Sequence, residues 1–148
     1  YTGIQRFSSE IQADTFAKPE DKTQQLKDML ALVDEAERVL CDKNASLNEF
    51  GKLLDTTWKL KRGTGAKISN GSIDELYSMA VKAGALGGKL LGAGGGGFLL
   101  FYCEKEKQEA LKRAMEQLMI VPFSFENEGA QVLYYNPQTY SPRKEFLV

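Results

Sequence analysis

Histidine is absent from the 148 residues. That removes the Ser-His and Cys-His nucleophile pairs and the usual zinc ligand together. Any acid–base chemistry would fall to carboxylates or lysine. Cysteine is scarce. Cys41 and Cys103 are the only two, and they lie too far apart for the CxxC spacing of a zinc or redox site. They read as reduced, partly buried thiols of a cytoplasmic protein. No apolar run is long enough to cross a bilayer, and nothing resembles a cleavable signal. Net charge is almost absent too, since nineteen basic and twenty acidic residues leave −1. The balance gives no argument for a nucleic-acid or membrane partner. At 43% apolar and 26% charged, the composition is that of one globular domain able to bury a core.

What the sequence has in excess is glycine, in one place. Eight of the fourteen residues from Gly84 to Gly97 are glycine. The densest part, KLLGAGGGGFLLF over Lys89–Phe101, sets four consecutive glycines between two apolar runs. A hairpin needs only two turn residues, and each further glycine costs about 0.5–1 kcal/mol relative to alanine. Something must approach this backbone closely enough to exclude side chains.

Around that stretch the pattern is first helical, then extended. Ser8 to Ala17 is a short helical segment, and Pro19 suits the first position of a longer helix with Glu20 and Asp21 at its positive end. In that helix Leu26, Met29, Leu30, Val33, Ala36 and Leu40 recur at helical spacing, which predicts one buried stripe ending near Asn44. Two capping boxes, Ser46–Glu49 and Ser72–Glu75, open two further helices. Between them lies a loop of glycine and small polar residues, Arg62 to Gly71. Leu86–Leu91 and Phe98–Cys103 read as strands, Glu104–Leu118 as an amphipathic helix, and Val121–Phe125 and Ala130–Tyr135 as two last strands. YTGIQR at the start reads like the tail of a strand, so the chain is expected to belong to something longer. The fold expected is α+β, an antiparallel ferredoxin-like sheet backed by helices, with additional helices at the N-terminal side.

Gly92-Ala-Gly-Gly-Gly-Gly97 satisfies GxGxxG, but a glycine tract does so automatically, and the strand that follows stands where a dinucleotide fold needs a helix. The P-loop fails because Phe98 occupies the lysine position. Two readings remain for Gly92, Ala93, Gly94, Gly95, Gly96 and Gly97: a loop of structural use only, or a ledge of bare amides that takes a phosphate or lets a neighbouring loop lie flush. Lys59 and Arg62 share a helix face, and with Lys61 they form either a phosphate-binding cluster or a solvated end complementing the helix dipole. Trp58 reads as core or interdomain packing. Arg6 would line a cleft or pair with a carboxylate; Lys89 reads as a solvent-facing strand residue. Ser69 and Asn70 fit turn chemistry as well as substrate contact.

GGKLLGAGGGGFLLF resembles the third conserved motif of the GHMP kinases, the family of galactokinase, homoserine kinase and mevalonate kinase. YTGIQR resembles a segment early in that family's C-terminal domain. WKLKR, ISNGSIDELY and GALGGKLLGAGGGGF together resemble its bacterial D-glycero-D-manno-heptose 7-phosphate kinase branch. The resemblance implies that residues 1–148 are the C-terminal domain of a cytoplasmic two-domain kinase. The N-terminal half, with its PxxxGLGSSA phosphate loop, would bind most of the ATP and Mg²⁺. It implies no catalytic residue and no metal ligand on this chain, and no activity without the other half. The implied partners are that half and a small sugar phosphate. A kinase for unphosphorylated fucose or galactose is the alternative within the family. A non-catalytic ferredoxin-like regulatory or ligand-binding module is the alternative outside it.

Overall fold

The computed structural model describes residues 1–4 and 22–134. Arg6, the helix expected over residues 8–17 and the Pro19 helix start lie outside these. Helix α1 is Thr23–Cys41, α2 is Leu47–Gly63 and α3 is Gly71–Lys82. Strands β1, Ala85–Leu90, and β2, Leu99–Cys103, follow, and a single 3-10 turn at Lys105–Lys107 leads into α4, Gln108–Ala114. The two strands pair antiparallel with Leu90 opposite Leu99 and Gly88 opposite Phe101, and the register shifts between Ala85 and Gly87. The α+β class expected from the sequence is the one found.

Ser46 caps α2 as expected, its side chain accepting from the Asn48 amide. The α3 cap is different. Asn70, not Ser72, takes that position and accepts from the Ile73 amide. Asn70 serves because its carboxamide oxygen reaches the amide three residues on while its backbone stays extended.

In α1 the apolar spacing exists in two registers, and the structure uses the other one. Val39 is the buried residue, with Met29, Leu32 and Ala36 partly covered on the same side. Leu30, expected in the buried stripe, is 64% exposed, and Leu26, Val33 and Leu40 are exposed with it.

The two last strands do not form among the described residues. Beyond α4 the chain has turns and then no regular structure up to residue 134. Alternation selects a face, but a strand also needs an edge to pair with. Val121 and Phe123 do turn toward an apolar groove of about 390 Å³ over β2 and α4. Phe125 and Leu133, by contrast, are 90% and 93% exposed.

The core sits where α2 and α3 meet the sheet. Trp58, Ile73 and Leu90 are fully buried there with Ile68 and Tyr77. A second cluster of Ala80, Ala85 and Met115 anchors α4. β1 can run close to α2 only because it carries glycine: a Cβ on Gly87 would land on the Gly51 carbonyl and within 2.7 Å of the Asp55 amide. Tyr77 locks that junction. Its hydroxyl donates to Asp55 Oδ1 at 2.8 Å and accepts from the Gly88 amide at 3.2 Å, tying α3, α2 and β1 together. Burial, then the hydrogen bond to Asp55, pushes its phenol well above the ordinary tyrosine range. Tyr77→Phe leaves the Gly88 amide without its acceptor. It is expected to cost about 1–3 kcal/mol, read as a lower urea midpoint with an unchanged m-value. An unchanged midpoint would mean that this hydrogen-bonded junction adds nothing to stability.

Candidate functional site: the glycine loop and its basic neighbours

The residues between the strands form a loop gripped from two sides. On one side lies the 64–70 segment. The Gly95 amide donates to the Ile68 carbonyl at 2.9 Å, and Asn70 Nδ2 donates to the Gly95 carbonyl at 3.2 Å. A Cβ on Gly94 would sit 2.8 Å from Ile68 Cα, and its φ of +134° is itself a conformation that side chains resist. On the other side lies the N-terminal segment. The Thr2 amide donates to the Gly97 carbonyl at 2.8 Å, and the Thr2 hydroxyl accepts from the Gly97 amide at 3.0 Å. A Cβ on Gly96 would strike the backbone and side chain of Ile4. Tyr1 stacks on Phe98 with ring centroids 4.9 Å apart. The close approach demanded by the sequence is therefore met partly within this chain, by Ile68 and Ile4.

The loop is not all ledge. Ala93 packs its methyl against the core. Gly92 is exposed, with nothing within 4 Å of the place a Cβ would take. Within the described residues the amides of Gly92, Ala93, Gly94 and Gly96 donate no hydrogen bond. Four donors in a loop whose Gly92, Gly94, Gly95 and Gly97 have positive φ are the raw material of an anion nest.

The structure separates the three basic residues at the end of α2. Lys59 pairs with Asp55 at 2.5 Å, one helical turn back. Arg62 reaches across to α3, where its Nη1 donates to Asp74 Oδ1 at 2.9 Å, an oxygen that also accepts from Ser69 Oγ at 2.7 Å. The Arg62 guanidinium lies over the Trp58 ring at 5.9 Å, and its Nε is buried without a partner among the described residues. Lys59, Arg62, Ser69 and Asp74 line one shallow polar depression. Lys61 faces elsewhere, and its Nζ donates to the Gly92 carbonyl at 2.7 Å, on the glycine loop. Burial, then the nearby charge of Lys89, pushes its ammonium below the ordinary lysine range.

Three contributors were not singled out from the sequence. Ile68 is a core residue inside a polar loop, signalled only by being the one large apolar side chain between Arg62 and Gly71. Thr2 clasps the far end of the glycine loop, and Asp74 takes both Arg62 and Ser69. Their partners are distant in sequence, so no local signal exists. Cys41 is exposed rather than partly buried, and Cys103 is half-buried with its thiol pushed up by burial. Among the described residues no group of three or more acidic or cysteine side chains could hold a metal ion, and no helix is long and apolar enough to cross a membrane.

With this loop and its supports in view, the family follows. Residues 29–121, more than half of the chain, match the GHMP kinases C-terminal family, and the chain belongs to it. Among characterised relatives, it is 33% identical over 89 residues to the D-glycero-alpha-D-manno-heptose 7-phosphate kinase of Campylobacter jejuni, covering 59% of this chain and 26% of that protein. It is 32% identical over 75 residues to the bifunctional fucokinase/GDP-fucose pyrophosphorylase of Arabidopsis thaliana, covering 50% of this chain and 7% of that protein. Its fold matches the L. major mevalonate kinase solved with R-mevalonate at a TM-score of 0.68 and 21% identity, over 78% of this chain and 36% of that one. The chain thus spans about a quarter or less of the curated relatives' length.

Proposed function

We propose that this chain is the C-terminal part of an ATP-dependent sugar kinase that phosphorylates the anomeric hydroxyl of D-glycero-D-manno-heptose 7-phosphate. The observation that carries the reading is the glycine loop, whose amides at Gly92, Ala93, Gly94 and Gly96 donate no hydrogen bond among the described residues and whose Gly92 carbonyl takes Lys61 Nζ. The likeness to a kinase of that name supports the substrate.

In such a transfer the anomeric oxygen forms a bond to the γ-phosphorus, the bond to the ADP oxygen breaks, and the hydroxyl proton goes to a base. Catalysis rests mostly on positioning and on spreading charge over the phosphoryl oxygens. The chain's own residues fit an anion: amides of the glycine loop would donate to phosphate oxygens, with Lys61 beside them. The clasp by Thr2 and the brace by Ile68 and Asn70 hold those amides in place before substrate arrives. Mg²⁺ supplies charge neutralisation between the phosphates when bound, and no carboxylate cluster among the described residues fits it. The metal ligands, the base and the main ATP loop would come from an N-terminal half, and this chain alone would be inactive. Arg6, Lys59, Lys61 and Arg62 are the proposed substrate-side cations.

The test is ADP release by the full-length protein with heptose 7-phosphate, unphosphorylated heptose, fucose and galactose. Turnover only with the 7-phosphate is expected. Turnover with fucose alone would transfer the reading to a neutral-sugar kinase, which the likeness to a fucokinase also supports. No turnover with any of them would remove the sugar-kinase reading.

A further inference from the structure

Among the cations of α2 and β1, Lys61 and Lys89 stand apart. Lys52 pairs with Glu49, Lys59 with Asp55 and Arg62 with Asp74. Among the described residues the Lys61 ammonium has no carboxylate partner and donates to the Gly92 carbonyl. Lys89, half-buried on β1 three residues before Gly92 and opposite Leu100 in the ladder, has a side chain with no hydrogen bond or ion pair among the described residues. Burial, and then the charge of Lys89, holds the Lys61 ammonium below the ordinary lysine range. A lysine ammonium on the Gly92 carbonyl, a second unpaired lysine on the strand that leads into the loop, and loop amides that donate no hydrogen bond among the described residues together favour an anion.

We propose that Lys61 and Lys89, at the entrance to the glycine loop, form a seat for a phosphate group, with the Gly92 end of the loop as its floor. Lys59 and Arg62 already have Asp55 and Asp74 as counter-charges, so the depression they line has much less unspent charge to offer. In the context of the kinase reading, on which this assignment of a ligand rests, the phosphate is either the one carried by the sugar or one on the nucleotide.

The decisive variant is Lys89→Met, because the Lys89 side chain makes no hydrogen bond or ion pair among the described residues, and the substitution leaves its backbone pairing with Leu100 in place. Lys61→Met is its companion, with Lys61→Arg as the variant that keeps charge and donor. Lys52→Met, far along α2 and paired with Glu49, is the control. Calorimetry on the full-length protein would measure heptose 7-phosphate, unphosphorylated heptose and MgATP separately. The proposal expects Kd for one phosphate-bearing ligand to rise about tenfold in Lys89→Met and Lys61→Met, with recovery in Lys61→Arg and no change in Lys52→Met. A rise confined to the 7-phosphate assigns the seat to the sugar, and a rise confined to MgATP assigns it to the nucleotide. Unchanged affinity for both overturns the seat while leaving the kinase intact.

A second readout does not depend on the substrate being right. Side-chain Nζ resonances of Lys61 and Lys89 in the full-length protein should shift on titration with inorganic phosphate, and that of Lys52 should not. If the two signals stay in place while wild-type protein turns over its sugar, the lysines are not the seat. If they shift in a protein that phosphorylates no sugar, the seat stands and the kinase reading fails.

Discussion

Under the proposed kinase function, Gly94→Val is expected to lower turnover by the full-length protein at least about a hundredfold, the scale of loss that a misplacement of about 1 Å brings to a positioned site. The substitution meets two obstacles together. A valine at φ +134° adopts a backbone conformation that β-branched residues avoid, and its Cβ would stand 2.8 Å from Ile68 Cα. Ile68 cannot simply retreat, since it is 2% exposed and packs in the main core with Trp58 and Ile73. The glycine loop must therefore lift off the 64–70 segment, breaking the bond from the Gly95 amide to the Ile68 carbonyl and the one from Asn70 to Gly95. Gly92→Ala is the contrast, because its Cβ enters open space and the cost is the φ penalty alone, about 1–2 kcal/mol. Steady-state kinetics beside thermal melts would separate the two variants. A Gly94→Val enzyme with wild-type kcat/KM would mean that the brace on Ile68 has no bearing on the reaction.

The largest stability effect is expected at Trp58. It is 0% exposed and touches the elements that build the site, α2, the 64–70 segment, α3 and β1, through Ile68, Ile73, Tyr77 and Leu90. Trp58→Ala should cost about 3–5 kcal/mol by lost burial and the cavity left behind. Against a total of about 5–15 kcal/mol for a domain, that is enough to unfold much of the population near its melting temperature. Trp58→Phe should cost far less, about 1.5 kcal/mol or under, because the indole Nε1 is buried without a partner among the described residues and its removal relieves an unsatisfied donor. Urea unfolding of the two variants measures the difference. Equal losses would show that the indole nitrogen is satisfied in solution, and a small loss in Trp58→Ala would show that the core closes around the gap.

Local signals carried far in this chain. Ser46 is an N-cap because its hydroxyl lies next to the amides it must satisfy. Trp58 in an amphipathic run is core because that face repeats every three to four residues. The α1 stripe shows where periodicity runs out: Leu30 and Leu32 both fit a 3–4 spacing, and only the packing of α1 on α2 chooses the side holding Leu32 and Val39. The stretch from Val121 to Phe125 alternates as a strand would, yet no ladder forms, because alternation carries no information about whether a partner edge is present.

The same division runs through the site. Glycine density alone determined that backbone must be approached closely between Leu91 and Phe98, since no other pressure sustains so many residues of such entropic cost. The sequence also determined the α+β class, through helical periodicity giving way to short apolar runs. It was the tertiary structure that decided what does the approaching, namely Ile68 and Ile4. It also decided which cation of WKLKR meets the loop. Lys59 takes Asp55 one turn away on its own helix, Arg62 takes Asp74 from α3, and Lys61 alone turns to Gly92. Helical spacing sets the directions in which these side chains leave α2, but what stands in each direction depends on contacts between residues distant in the chain.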